Sequence, residues 1–284
     1  MTEWLDIIIP VRNPGSKLSE TTDSLLAQTE RRFGVVLSDN FSSKGLDHLG
    51  EAEKRLRAGG IPVRRVKPVF ELGRVQHWNW AHAQSSAEWL KPLFVGDLLF
   101  PQYVGRLRER VEARPASALV RCESELRAPE GTWSGEVPFE ERSLTPQQFL
   151  AWYPVFGNWI GGPFSIAYRR FAWQAAGGYA VQLPACADLN LYVTLALHHG
   201  LETIPERLAA FQLHEQRFSY GIKRRRINVC FETWLILRQA RNYCHTAGLI
   251  WPERGVARGV IKQIKVEYWY PFKERLRRQG QGAR

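Results

Sequence analysis

Short apolar runs that close into polar loops, with helix-like segments between them, constrain this chain more than any other feature. Asp6-Ile7-Ile8-Ile9-Pro10 opens into Val11-Arg12-Asn13-Pro14-Gly15, and Phe33 to Leu37 opens into Ser38-Asp39-Asn40-Phe41-Ser42-Ser43. Ile61 to Val69 is a third extended segment. Between them, Leu18 to Gln28 carries Leu18, Leu25 and Leu26 on one side, and the charged helix Asp47 to Ala58 stops at Gly59-Gly60. Strands alternating with helices predict an α/β domain around a mostly parallel sheet with right-handed crossovers.

In such sheets ligands bind outside the carboxyl ends of the strands, which directs attention to Leu90 to Pro101. There Leu93, Phe94 and Val95 read as a buried strand, Gly96 permits a close turn, and Pro101 prevents continuation. The run delivers one carboxylate, Asp97. It reads either as a solvated turn or cap residue, or as a ligand for a divalent cation that holds a diphosphate. Before it, Gly73 to Trp89 reads as a loop entering a helix, with Trp78, Asn79 and Trp80 near its start.

A helix after Pro101 and a strand at Ala118 to Cys122 extend the sheet. Thr145-Pro146-Gln147-Gln148 has the layout of an N-cap, a first-turn proline and a capping-box Gln. Gly157-Asn158-Trp159-Ile160-Gly161-Gly162-Pro163 allows close approach of backbone to a ligand, or is a tight turn. Ser165 to Tyr168 is a strand and Arg169 to Ala176 a helix. Asp188 stands at the start of the helix Ala187 to His199, where an N-cap role alone would account for it. Leu201 to Pro205 and Leu208 to Leu213 are extended, and His214-Glu215-Gln216-Arg217-Phe218-Ser219 closes the body.

The formal charge of +11 is concentrated at one end. Residues 217–284 carry 16 Lys and Arg against 4 Asp and Glu, whereas residues 1–216 carry 23 against 24. A neutral body with a basic extension predicts an anionic partner for the extension. Ile222 to His245 reads as a helix with Lys223-Arg224-Arg225-Arg226 at one end and Phe231, Trp234, Leu235 and Leu237 within it. Val256, Val260, Ile264 and Tyr268 continue at four-residue spacing among basic residues. Either this stripe lies in an anionic membrane interface or it packs on the body. No apolar run reaches the roughly 18 residues that a membrane span needs, and Met1-Thr2-Glu3-Trp4 leads straight into strand-like sequence without a signal peptide. Cys122, Cys186, Cys230 and Cys244 have neither CxxC pairing nor zinc-ligand spacing and read as reduced residues of a cytoplasmic protein.

Several of these pieces, in this order, resemble a family-2 glycosyltransferase of GT-A (Rossmann-like) fold over residues 5–220. Ile8-Ile9-Pro10-Val11-Arg12-Asn13 followed by Ser24-Leu25-Leu26-Ala27-Gln28-Thr29 is similar to the family's first strand and its S-L-x-x-Q helix. Val36 to Ser42 is similar to the second strand, whose terminal Asp takes the nucleotide base. Gly73 with Asn79 resembles the G-x5-N element, and Gly96-Asp97-Leu98-Leu99-Phe100-Pro101 the D-D-x-L-x-P segment. Gly177-Gly178-Tyr179, Asp188, His214 and Ser219 resemble the acceptor side. Val95-Gly96-Asp97 keeps only the last carboxylate of a D-x-D, Arg12 stands where an aromatic is common, and Ala187-Asp188 keeps only the Asp of a Glu-Asp pair.

The resemblance implies an inverting transfer from a nucleotide-diphosphate sugar, UDP-linked by family frequency, to a hydroxyl of a glycan or lipid-linked acceptor in bacterial polysaccharide synthesis. Asp188 would be the general base. Pro10, Val11, Arg12, Asp39, Gly73, Asn79 and Gly96 would line the nucleotide pocket, and Asp97 with His214 would hold Mn²⁺ or Mg²⁺. Arg74, Gly161, Gly162 and Arg217 would lie on the acceptor or phosphate side, although Arg74 and Arg217 read equally as surface cations and His214 as a packed histidine. The expected division is a transferase domain at 1–220 and a basic helical extension at 221–284, with peripheral contact at the inner membrane face. Two other classes stay open: a catalytically silent relative that binds nucleotide-sugar or a partner enzyme, and a nucleic-acid-binding protein using the basic tail, for which no recognition motif is visible.

Overall fold

A computed structural model describes residues 4–128, 131–134, 142–156, 159–212, 226–253 and 255. The first half is the predicted alternation: β1 (Leu5–Val11), α1 (Lys17–Leu26), β2 (Gly34–Asp39), α2 (Leu46–Ala58), β3 (Val63–Val66), α3 (Arg74–Ala83) and β4 (Trp89–Pro92). Strands β3, β2, β1 and β4 pair side by side in parallel. Helices cover both faces, which is why Ile7, Ile8, Ile9, Val35, Val36 and Leu37 form continuous apolar runs and are all buried. The chain winds from β1 outward to β2 and β3, then returns to place β4 on the other side of β1. That reversal between β1 and β4 is a topological switch point, where a crevice opens at the carboxyl edge.

The second half is mixed rather than parallel. It comprises β5 (Leu98–Leu99), α4 (Tyr103–Ala113), β6 (Leu119–Ala128), β7 (Gly131–Ser134), β8 (Ser143–Leu144), α5 (Pro146–Phe156), β9 (Ile166–Arg169), α6 (Arg170–Ala175), α7 (Ala187–His199) and β10 (Leu201–Gln212). The full order is β3-β2-β1-β4-β9-β6-β10-β5, with β9 antiparallel to both β4 and β6, and β6 parallel to β10. Thr145 begins α5 as predicted: its N–H donates to Gln148 Oε1 at 2.9 Å, and the Gln148 N–H returns to Thr145 Oγ1 at 3.3 Å.

Several boundaries differ from the sequence reading. The strand before Asp97 is Trp89–Pro92, so Leu93, Phe94 and Val95 lie beyond it and Trp89 belongs to the strand rather than to the preceding helix. Pairing decides this, because Leu5 to Ile8 of β1 align with Trp89 to Pro92. The two extended pieces after Gly200 are one strand, β10, whose register slips against β6 between Ile204 and Ala209. Such a bulge bends a strand without ending it.

The last described helix, α8 (Arg226–Ala247), packs against α7. Ile236, Ala240 and Cys244, four residues apart, are buried in the core on this side of the sheet. Phe231 and Trp234 are 57% and 51% exposed and stack on each other at 5.9 Å. Of the four bulky residues marked in the sequence, Leu235 and Leu237 are half-buried against that core, whereas Phe231 and Trp234 face away from it. His214, Arg217, Ser219 and Lys223 to Arg225, together with the stripe at Val256, Val260, Ile264 and Tyr268, lie outside the described residues. Among the described residues no helix is long and apolar enough to cross a membrane, and all four cysteines are free thiols.

Candidate active site

Three carboxylates line the carboxyl edge of the sheet, and the start of α3 touches the structures that carry each of them. Asp39 ends β2, opposite Val11 at the end of β1, and is 3% exposed. Its Oδ1 accepts the Ser42 N–H at 3.0 Å. Beside it, Ser38 Oγ is hydrogen-bonded to His77 Nε2 of α3 at 2.7 Å. Burial pushes His77 down to about 4, opposed by the negative charge of Asp39, so this imidazole is neutral at physiological pH.

The surrounding loops are tied by short polar side chains. Asn40 donates to the Leu72 carbonyl at 2.8 Å and accepts the Leu72 N–H at 2.9 Å, fastening the mouth of β2 to the segment entering α3. Asn13, at φ 51°, accepts the N–H groups of Ser43 and Lys44, which joins the β1 and β2 loops. Gly45 closes the same junction at φ 69°, where any Cβ would lie 1.8 Å from the Pro14 carbonyl oxygen. Pro10 and Val11 lie within β1, whereas Arg12 is exposed and ion-paired with Glu71 across the mouth.

Asp97 follows β4 in a turn and is 1% exposed. Thr21 of α1 fixes that turn by accepting the Gly96 N–H at 2.9 Å and donating to the Asp97 carbonyl at 3.1 Å. Gly96 adopts φ 89°, a left-handed conformation that glycine takes without strain. On the opposite face Trp78 of α3 packs on Phe94 with ring centroids 4.7 Å apart. Underneath, Lys91 is wholly buried and donates to the carbonyls of Pro92 at 2.7 Å and Pro163 at 2.6 Å. Burial pushes the ammonium down to about 7, offset by the Cys122 thiol and the Asp97 carboxylate.

Asp188 lies in the first turn of α7 rather than at its N-cap, which is Cys186. Its Oδ1 accepts the Leu189 N–H at 2.9 Å. Burial raises its carboxyl above the ordinary value, and Arg74 of α3 pulls in the opposite direction. Arg74 also donates to the Pro184 carbonyl and lies over the Trp78 ring at 4.6 Å. It is therefore part of the wall facing Asp188 and no longer reads as a free surface cation.

The other candidate residues have structural partners. Asn79 donates to the Tyr179 carbonyl and accepts the Tyr179 N–H, both at 2.8 Å, clamping α3 to the Gly177-Gly178-Tyr179 loop. Gly73 begins α3, its N–H bonded to Gln76 Oε1 at 3.1 Å. Gly161 and Gly162 form the turn into Pro163–Ser165, where the Gly162 carbonyl accepts the Ser165 N–H at 3.0 Å. That turn caps two buried cations, since Ile160 and Pro163 accept from Arg121 and Lys91.

Asn79→Ala should lower the melting temperature by roughly 5–10 °C, because two buried backbone groups of Tyr179 lose their partners at about 1–3 kcal/mol each. A thermal melt reads this directly, and an unchanged melt would mean that water replaces the clamp.

Two features carried no sequence signal that the motifs exposed. Lys91 sits in an apolar run as a buried ammonium, and Glu232 reaches the start of α7 from α8. The second was legible only in the register of α8, where residue 232 shares the face of 236, 240 and 244.

Among the described residues, no group of three or more His, Cys, Asp or Glu gathers as a metal cage. One buried carboxylate fits the sparse way in which a hard cation is held by one or two side chains plus phosphate oxygens, and does not fit an all-protein site.

No protein-family model matches the chain. It is 22% identical over 262 residues to an uncharacterized protein, MT1568, of Mycobacterium tuberculosis, covering 87% of this chain and 80% of that one. It is 23% identical over 195 residues to an uncharacterized glycosyltransferase of Haemophilus influenzae, covering 67% of this chain and 61% of that protein. Among solved structures it is similar to S. aureus TarS 1–349 in complex with UDP-GlcNAc, with a TM-score of 0.69 at 14% identity over 94% of this chain and 73% of that one. The chain spans only 39% of a longer TarS structure. It is also similar to the mannosyltransferase PcManGT of Pyrobaculum calidifontis in complex with GDP-Man and Mn²⁺, with a TM-score of 0.60 at 16% identity over 92% of this chain and 74% of that one. The fold is thus the GT-A-like α/β fold, a central sheet flanked by helices.

Proposed function

We propose that this chain is a glycosyltransferase that takes a nucleotide-diphosphate sugar as donor and a hydroxyl of a glycan or lipid-linked molecule as acceptor. The observation that carries the reading is the placement of Asp39 and Asp97 on the two sides of the β1/β4 switch point, with Asp188 served by the same helix α3. Nucleotide-sugar complexes of similarly folded proteins support the substrate class.

In this reading the base lies against Asp39, between the ends of β1 and β2, and the Asn40 and Asn13 ties hold the pocket open before ligand arrives. Preformed geometry of that kind reduces the ordering cost of binding. Asp97 would hold Mn²⁺ or Mg²⁺ together with the donor phosphates, and such an ion supplies neutralisation of diphosphate charge. His214 is proposed as a further contact. Asp188 removes the proton from the acceptor hydroxyl as its oxygen attacks the anomeric carbon in line and the bond from that carbon to the diphosphate oxygen breaks, releasing the nucleoside diphosphate, so that a single displacement inverts the centre. Its raised pKa suits the role, because a buried carboxylate is a stronger base than an exposed one. Arg74 opposes the effect of burial by favouring the ionised form of that carboxylate.

Calorimetric titration of UDP, GDP and TDP, with and without Mn²⁺, tests the donor site. One nucleotide should bind, and Asp39→Ala should weaken it about 10–100-fold, the loss of about 1–3 kcal/mol from a hydrogen bond to a buried charge. Binding of none would retire the donor reading and favour a silent relative that engages a partner.

A further inference from the structure

We propose that Glu232 of α8 is a positioning residue for Asp188, so that this last described helix is a working part of the site. The inference rests on the reading of Asp188 as the base.

Helix α7 begins without a capping side chain of its own, because its N-cap is Cys186 and no side-chain bond closes it. The carboxylate of Glu232 supplies the missing anchor from another element. Its Oε2 accepts the Ala185 N–H at 2.9 Å and the Cys186 N–H at 2.8 Å, and the residue is 6% exposed. These two N–H groups immediately precede α7, and Asp188 is its second residue. Fixing them fixes where the first turn starts. Ile236, Ala240 and Cys244 bury the following turns of α8 in the same core. The Val229 carbonyl lies 3.9 Å from the Cys186 Sγ on the same contact.

Glu232 also acts on the charge of Asp188. Facing Asp188 are Arg74 from α3, Glu232 from α8, Tyr179 from the preceding loop, Tyr192 from α7 itself and the Cys186 thiol. The two tyrosines and the thiol are pushed upward by burial and stay neutral, so Arg74 and Glu232 are the charged groups of this set. Arg74 senses both carboxylates. One cation thus serves two acids, and the second acid makes the first more basic than burial and Arg74 alone would leave it. A misplacement of about 1 Å in a base costs roughly 10²-fold in rate, so anchor and charge both bear on turnover.

Three variants separate these effects: Glu232→Gln, which keeps an acceptor oxygen without the charge; Glu232→Ala, which removes both; and Ile236→Ala, which loosens α8 without touching the carboxylate. Asp188 is followed by ¹³C-carboxyl NMR titration, assigned by its absence in Asp188→Asn, and turnover by the pH profile of nucleotide-sugar hydrolysis or transfer. In Glu232→Gln, Asp188 should titrate at lower pH, the acid limb of kcat/KM should move the same way, and the donor KM should hold. In Glu232→Ala, kcat should fall roughly tenfold or more as the anchor is lost. Ile236→Ala should lower the melting temperature and leave the limb where it was. Identical Asp188 titrations in the wild type and Glu232→Gln would overturn the proposal, as would a limb that moves equally in Ile236→Ala. If Asp188 shifts in Glu232→Gln while the wild type turns over no nucleotide sugar, the failure belongs to the base assignment and the coupling stands.

Discussion

Asp188→Asn should reduce transfer by about 10²–10⁴, the usual contribution of a positioned general base. Nucleotide affinity should be unchanged, since Asp188 lies on α7 while the proposed base pocket lies between β1 and β2. Asn retains the size of the side chain and an oxygen for the Leu189 N–H, so the first turn of α7 is preserved. The pH dependence has a definite sign. The ionised form is the base, and burial favours the protonated form, so activity falls as pH drops through a value above that of an ordinary carboxylate. That limb should vanish in Asp188→Asn, leaving a low, flat residual rate. A variant that keeps its rate and its limb would move the base elsewhere.

Lys91→Met should remove a pH-dependent stability term that the wild type carries between about pH 7 and 10.5. The ammonium is wholly buried, and its folded value is near 7 against 10.5 for the free side chain. Below about 7 the group is charged in both folded and unfolded chains, and folding bears the full cost of burying it. Above 10.5 it is neutral in both, and the cost is gone. Between these limits the unfolded chain binds more protons, so stability rises with pH. At about 1.4 kcal/mol per unit the full change is at most about 5 kcal/mol. Urea midpoints at pH 7 and 9.5 should therefore rise in the wild type and stay level in the variant. Met fills similar volume but leaves the Pro92 and Pro163 carbonyls without their donor, a loss that is the same at both pH values and so lowers the variant's midpoints without giving them a slope. Equal rises in both proteins would assign the effect to another group.

The parallel half of the fold was readable because β-branched runs and helical periodicity are local properties. Ile7 to Ile9 and Val35 to Leu37 are uniform apolar runs only because helices lie on both faces. Asp39 and Asp97 were found for the same reason, since each closes an apolar run and a parallel strand ends at the ligand edge. The strand before Asp97 was displaced by three or four residues, because Leu93 to Val95 are as apolar as Trp89 to Pro92 and only pairing with β1 selects between them. Asn79 carried a motif but not its partner: its two bonds go to Tyr179, one hundred positions away in the chain.

By itself the sequence determined the α/β class, the alternation of strands and helices in the first half, the capping of α5 and the identity of the acids at the sheet edge. These follow from side-chain period, turn chemistry and the termination of apolar runs, all of which act over a few residues. Only the tertiary structure decided that β9 lies antiparallel between β4 and β6, that Lys91 is a buried ammonium, and that α8 faces the core with Glu232, Ile236, Ala240 and Cys244 rather than with Phe231 and Trp234. Each of these depends on which distant surface a residue meets. Burial and charge pairing are set by that surface, and sequence spacing alone leaves it undefined.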